Sequence, residues 1–165
     1  MKTTTMTLKP ARIGSISHGT LRSEDLINAF RNEIEWQLNR NGDYFSRPEN
    51  FSERDKLNNL VGECQDLWAD DDDIIPDRFE EAVEMVNETL PNALEQFCPP
   101  YCYFGSHCGD GSDFGYWPSM DSIDELPQVE GSDEAKELGE DCKSVNDHGN
   151  VTIYSATGEI ILELV

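Results

Sequence analysis

The sequence predicts an α+β protein, in which an N-terminal bundle of three to four helices packs on a C-terminal antiparallel β-sheet or meander. Three observations predict it. Apolar residues recur at helical spacing through much of residues 23–97. From Val151 onward they alternate, and turn residues punctuate the run. Helices first and strands later is the order expected of an α+β chain. A chain of 165 residues reads as one domain, or as a domain with a subdomain. Its parts would be a tail or edge strand over 1–19 and a domain over 20–165. That domain divides into a helical part (20–97) and a β-rich part (98–165) with an acidic loop at 121–141.

The elements follow in order. Residues 1–19 are rich in Thr, Gly, Ser and Pro and show no period. The first helix should start at Ser23 as its cap, with Glu24 and Asp25 in the first turn, where they complement the helix dipole. Leu26, Ile27, Phe30, Ile34 and Leu38 define its buried face, and Asn41-Gly42 should end it after Arg40. Residues 43–51 read as a loop, and Ser52 as the next cap. Leu57, Leu60, Val61, Cys64, Leu67 and Trp68 then share one helical face, which makes Cys64 a small core residue. A third helix is expected over about 77–89, with Pro91 opening a short fourth segment that ends at Phe97. On a helical wheel Phe79, Ala82, Val83, Val86 and Leu90 face the core, opposite Asp77, Glu80, Glu81, Glu84 and Glu88.

After Cys98 the helical period disappears. Tyr101–Phe104 and Phe114–Trp117 read as short strands around a Gly-rich loop. Short helices are expected at Ser122–Leu126 and Asp133–Leu138. A meander of 143–146, 151–155 and 159–165 closes the chain, with Ile160, Leu162 and Leu164 on one side.

Charge is divided unevenly. Residues 1–56 carry nine Lys/Arg and eight Asp/Glu, whereas 57–165 carry three basic and twenty-six acidic residues. Such a field points to a basic partner and argues against direct nucleic-acid binding. The candidate contact residues are the run Asp70, Asp71, Asp72 and Asp73, continued by Asp77, Glu80, Glu81, Glu84 and Glu88. The plain alternative is a solvated face, although solubility of a small domain needs a net charge of only about 2–8 in magnitude. Tyr101, Tyr103, Tyr116 and Trp117 are candidates for an aromatic contact patch, because Tyr and Trp anchor interfaces. Core packing is their ordinary role.

Other chemistry is thinly signalled. Cys98, Cys102 and Cys108 beside His107 have one spacing in the zinc range, but adjacent His107 and Cys108 cannot easily ligate one ion, and no second tight pair follows. Asp110-Gly111-Ser112-Asp113-Phe114-Gly115 lacks the spacing and the distal Glu of a calcium loop. No metal or other cofactor is therefore expected. His107, Asp110, Asp113, Asp147 and His148 are the residues from which an acid–base site could be drawn. No nucleophile elbow, phosphate loop or metalloprotease helix accompanies them. No apolar h-region or membrane-length run appears, and five cysteines suit a reducing compartment, so the expected location is cytoplasmic.

The stretch from Pro99-Pro100-Tyr101 through Trp117-Pro118, with Val145-Asn146-Asp147-His148-Gly149-Asn150-Val151-Thr152-Ile153-Tyr154, resembles a group of uncharacterised proteins from phages, plasmids and related mobile elements. No activity or functional residue carries over from it. The resemblance implies a context in which small acidic proteins include inhibitors of host defence, such as anti-restriction and anti-CRISPR proteins. The expected function is accordingly a non-enzymatic, acidic protein-binding module of that kind, with DNA mimicry as one route. One alternative is a small metal-dependent or hydrolytic enzyme built on loop 98–118 and Asp147/His148. Another is an accessory protein whose acidity serves only solubility.

Overall fold

The structure is a computed structural model, and it describes residues 7–70 and 72–165. It is α+β, with helices concentrated towards the N-terminus and two small antiparallel sheets in which most strands lie towards the C-terminus. The residues group into two compact units. The first comprises the chain up to Cys98 together with Tyr103–Trp117, and the second comprises Pro99–Cys102 and Pro118–Val165.

In the first unit, the N-terminal segment supplies β1 (Gly14–Ser17), and Ser23–Arg40 forms α1. The periodic residues Leu26, Ile27, Phe30 and Ile34 are all buried. Ser23 is not the cap. Arg22 holds that position without a side-chain bond, and Thr20 organises the entry instead. The Thr20 hydroxyl accepts the Arg22 N–H at 3.2 Å and donates to Asp25 at 2.6 Å. At the far end Asn41 is buried because its amide is fully used. Oδ1 accepts the Lys9 N–H at 2.7 Å, and Nδ2 donates to the Gln37 carbonyl at 3.0 Å.

The expected loop 43–51 is more ordered than its composition suggests. It holds α2 (Gly42–Phe45) and a 3₁₀ turn at Pro48–Asn50. Helix α3 (Phe51–Asp66) then begins before Ser52, which excludes Ser52 as its cap. Its buried residues Leu57, Leu60 and Cys64 are those the period predicts.

The segment after the aspartate run is not one uniform helix. A 3₁₀ turn (Pro76–Arg78) leads into α4 (Phe79–Glu84), a π-helical turn (Met85–Thr89) and α5 (Leu90–Glu95). Within the π turn the Leu90 N–H bonds the Met85 carbonyl, five residues back. In a regular helix the Pro91 ring would press on the Asn87 carbonyl, and the wider turn gives it room. The 3₁₀ start and the π turn also shift the phase of the apolar face. Phe79, expected in the core, is 51% exposed, and Met85 is buried.

Strands β2 (Cys102–His107) and β3 (Asp110–Pro118) outrun their expected lengths, and the Gly-rich loop contracts to a turn at Cys108 and Gly109. Sheet order is β1-β3-β2. Gly14 pairs with Tyr116 and Ser15 with Gly115, followed by a bulge before Ser17. A Cβ on Gly115 would collide with the Gly14 carbonyl oxygen, so this approach requires glycine. Phe30 meets Phe104 and Phe114 edge-on at 5.1 and 5.6 Å, and Tyr116 meets Phe104 at 5.1 Å. Each fully buried large apolar side chain in this cluster contributes about 1.5–3 kcal/mol.

The second unit holds α6 (Met120–Asp124), α7 (Ser132–Leu138), β4 (Cys142–Val145), β5 (Val151–Tyr154) and β6 (Ile160–Leu164). The meander runs antiparallel in the order β4-β5-β6, as predicted. Ile123, Ile153 and Leu162 form one small core, and Val129, Ala135 and Cys142 a second. The two short helices expected within the acidic stretch 121–141 are present as α6 and α7, and the stretch is held in place rather than left as a free loop. The Val129 N–H donates to the Lys143 carbonyl and the Lys143 N–H to that of Pro127, which ties the segment to β4. Ile160, expected on the inner side, is 56% exposed because a bulge at Tyr154 shifts the register there.

Candidate acidic interface

The aspartate run sits on a short, braced excursion between α3 and α4. Trp68 and Ile74 form an antiparallel bridge at its base. The Ala69 N–H donates to the Asp73 carbonyl, and the Ile75 N–H to that of Leu67, both at 2.8 Å. One side chain shapes the tip, where Asp70 Oδ1 accepts the N–H groups of Asp72 and Asp73 at 3.1 Å each. Asp and Asn favour such turns because the side chain reaches the backbone two residues on. Asp71 lies outside the described residues. The carboxylates of Asp70, Asp72 and Asp73 are exposed, as mutual repulsion requires.

Asp77, Glu80, Glu81, Glu84 and Glu88 are all exposed, so the segment presents its acids to solvent as the wheel predicts. Two details change the expected stripe. Arg78 holds Glu81 through two bonds, Nε to Oε2 at 2.8 Å and Nη2 to Oε1 at 2.7 Å, while its Nη1 donates to the Asp66 carbonyl at 2.6 Å. These bonds hold the Glu81 carboxyl below the usual carboxylate range and raise the Arg78 guanidinium. Glu81 is therefore already neutralised. Glu88 lies in the π turn, where Asn87, Glu88 and Thr89 are consecutively exposed, and it leaves the straight line of an ideal wheel.

Acid is spread over both units. The first carries twenty-two acidic and ten basic residues, and the second, though much shorter, carries twelve acidic residues and two lysines. Glu130, Asp133, Glu134, Glu137 and Glu140 are exposed on and around α7. The sequence marks this stretch as acidic and predicts its two short helices, but not how they are anchored, because α7 is short and Ala135 is the one residue it buries.

The aromatic candidates divide. Tyr116 is fully buried, and its hydroxyl donates to Glu33 at 3.3 Å, so it is a core residue and not a contact. Burial, with the nearby Glu33 charge, pushes its ionisation far up. Tyr101, Tyr103 and Trp117 are half-buried. Tyr101 sits at φ 60°, a conformation costly for a bulky residue, and donates to Asp141 at 2.6 Å within the second unit. Trp117 packs against the His107 ring at 4.7 Å and donates to the Gly105 carbonyl at 3.0 Å.

The remaining candidates take ordinary structural places. His107 Nδ1 accepts the Gly109 N–H at the hairpin turn, and Cys108 is exposed beside it. Cys98 follows α5, and Cys102 opens β2. Among the described residues, no group of three or more His, Cys, Asp or Glu side chains is placed to hold a metal ion. Asp110 bonds the Ser112 N–H and hydroxyl at 2.9 and 2.8 Å, and these bonds lower its carboxyl. Asp113 lies further along β3. Asp147 and His148 are exposed in the β4–β5 turn, where the His148 N–H donates to Asn146 Oδ1.

No protein-family model, curated protein or solved structure matches this chain. Among the described residues, no helix is long and apolar enough to cross a membrane.

Proposed function

We propose that this chain is a non-enzymatic, acidic binding module that occupies a basic groove on a nucleic-acid-handling protein, in the manner of a mobile-element inhibitor of host defence. Its setting is the cytoplasm. The observation that carries this reading is the display of acid on the 70–88 segment. Asp70, Asp72, Asp73, Asp77, Glu80, Glu84 and Glu88 are exposed, and among the described residues none of them is in an ion pair. A solvated face alone needs no such density, and a net charge of −22 far exceeds what solubility asks. Closely spaced carboxylates imitate phosphates in charge, and a positively charged groove would be drawn to them at long range.

The test is capture from host lysate on immobilised protein at about 0.1 M and about 1 M salt, where the Debye length falls from ~10 to ~3 Å. The expected result is a nucleic-acid-binding protein that is retained at low salt, released at high salt and displaced by duplex DNA. The triple variant Glu80→Lys, Glu84→Lys, Glu88→Lys should not retain it. A partner that stays bound at about 1 M salt, or binds the triple variant equally, rules the reading out.

A further inference from the structure

A second surface differs in chemistry from the acidic one. Strand β1 is the outer strand of its sheet, with β3 on one side and, among the described residues, no strand on the other. Its open side borders a cavity of about 420 Å³. Five consecutive residues, Arg12 to Ile16, form one wall. Glu33, Trp36, Gln37 and Arg40 form the other, spaced to line a single face of α1. The space is thus a groove between a strand edge and a helix.

Four properties of the groove point to its occupant. Its edge is unguarded, because Gly14-Ser15-Ile16-Ser17 contains none of the charged residues or prolines that usually protect an open strand. It is apolar in part, since Trp36 is 62% and Ile13 37% exposed. It is cationic in a strongly acidic chain. Arg12 and Arg40 both line it, and among the described residues neither forms an ion pair, although one Arg40 nitrogen, Nη1, donates to the Pro10 carbonyl at 2.6 Å. Its one carboxylate is engaged, because Glu33 Oε1 accepts from Gln37 Nε2 at 2.7 Å and from the Tyr116 hydroxyl at 3.3 Å. The four residues of β1 span about 13 Å at ~3.3 Å each, which accommodates roughly four or five residues of an extended chain.

We propose that this groove binds an extended peptide segment as an added strand on β1, with acidic residues flanking a short apolar centre. The peptide main chain would pair with the free edge, its apolar side chains would lie against Trp36 and Ile13, and its carboxylates would meet Arg12 and Arg40. The net negative charge of the chain does not prevent this, because at physiological salt it is screened beyond about 8 Å while the guanidinium contacts are direct. The site is independent of the acidic face, so either can fail without the other.

The probe is a fluorescent peptide, Glu-Val-Val-Val-Glu, acetylated and amidated at its ends. Binding is followed by fluorescence anisotropy and by the amide resonances of residues 12–17. Saturable binding is expected, with shifts in those resonances. It should weaken about tenfold in Arg12→Ala and in Trp36→Ala, and equally when alternate peptide nitrogens are methylated, because one charged contact, or two edge hydrogen bonds together, is worth about that. Both substituted residues are exposed, and an unchanged circular dichroism melt confirms that the variants fold. The same peptide with Lys for Glu should not bind. The proposal is overturned by absence of saturable binding, by indifference to N-methylation or to Arg12→Ala, or by glutarate binding as tightly as the peptide. It is also overturned if sedimentation equilibrium shows self-association that Trp36→Ala abolishes, since a second copy would then be the occupant.

Discussion

Cys64 illustrates how a single residue follows from its neighbours. The helical spacing places it in the core, and it is fully buried. Burial pushes its thiol up to about 11, with Arg31 opposing the shift. The thiolate is the nucleophile, so Cys64 should be inert at neutral pH. Mass spectrometry after brief iodoacetamide treatment of the native protein should find Cys108, which is exposed, modified well before Cys64 and Cys142. Tyr101 supplies a second prediction. Burial, then its bond to Asp141, pushes its hydroxyl up from 10.0 to about 12. The folded state therefore keeps a proton that the unfolded chain loses, and this contribution is complete below pH 10 and lost as pH rises through 12. In Tyr101→Phe, the fall in denaturation midpoint between pH 10 and 12 should be shallower than in the parent chain. Residue roles were legible where a period existed. Tyr116 takes the ordinary role of an aromatic residue, core packing, and not that of a contact patch, because strand alternation places it on the same face as Phe114, against the Phe30 cluster.

At the scale of elements, both ends of α1 and all three strands of the β4-β5-β6 meander could be read within a residue or so. Three features could not. The π turn has no hydrophobic signature of its own, and Pro91 marked the start of the short segment that becomes α5, not the widened turn before it. The caps at Ser23 and Ser52 failed because capping depends on the dihedral angles of the entering chain, which side-chain identity does not fix. The pairing of β1 depends on a partner about a hundred residues away, beyond any local pattern. Gly115 is where this pairing is most exposed to substitution. Gly115→Ala should cost about 1–3 kcal/mol by forcing β1 away from β3, read as a lower urea midpoint with little change in slope. Gly62→Ala is the control, since a Cβ there meets nothing within 4 Å.

Over the whole molecule, the asymmetry of charge was the feature most fully present in the sequence, and the fold redistributes it. The boundary at residue 56 separates neutral from acidic sequence, yet both compact units carry a large negative excess. The candidate acidic interface was legible to the extent that its carboxylates are exposed. Its neutralised member Glu81 was not, because the bond from Arg78 depends on the 3₁₀ turn that aims the guanidinium. The basic groove went unseen because Arg12 and Arg40 are distant in sequence and only the fold brings them to one cavity. Self-repulsion of this size should make stability depend on salt. Raising ionic strength from 0.01 to 0.15 M shortens the Debye length from about 30 to 8 Å. It should raise the melting temperature, with each kcal/mol worth about 2–4 °C in a chain of this size. An unchanged melting temperature would show that the acids are too far apart to repel one another.

The distance along the chain between β1 and β3 also has a meaning in time. The ribosome makes Gly14 long before Tyr116, its partner in the sheet. At about 5–20 residues per second, roughly five to twenty seconds pass before the second strand exists. During that interval the first strand must avoid every other strand edge in its surroundings. Its Gly-Ser-Ile-Ser sequence suits that wait, since it is short, small and poor in the apolar content that drives premature pairing. The same modest strand that leaves an open edge on the finished protein is thus one that a nascent chain can carry safely until its partner arrives.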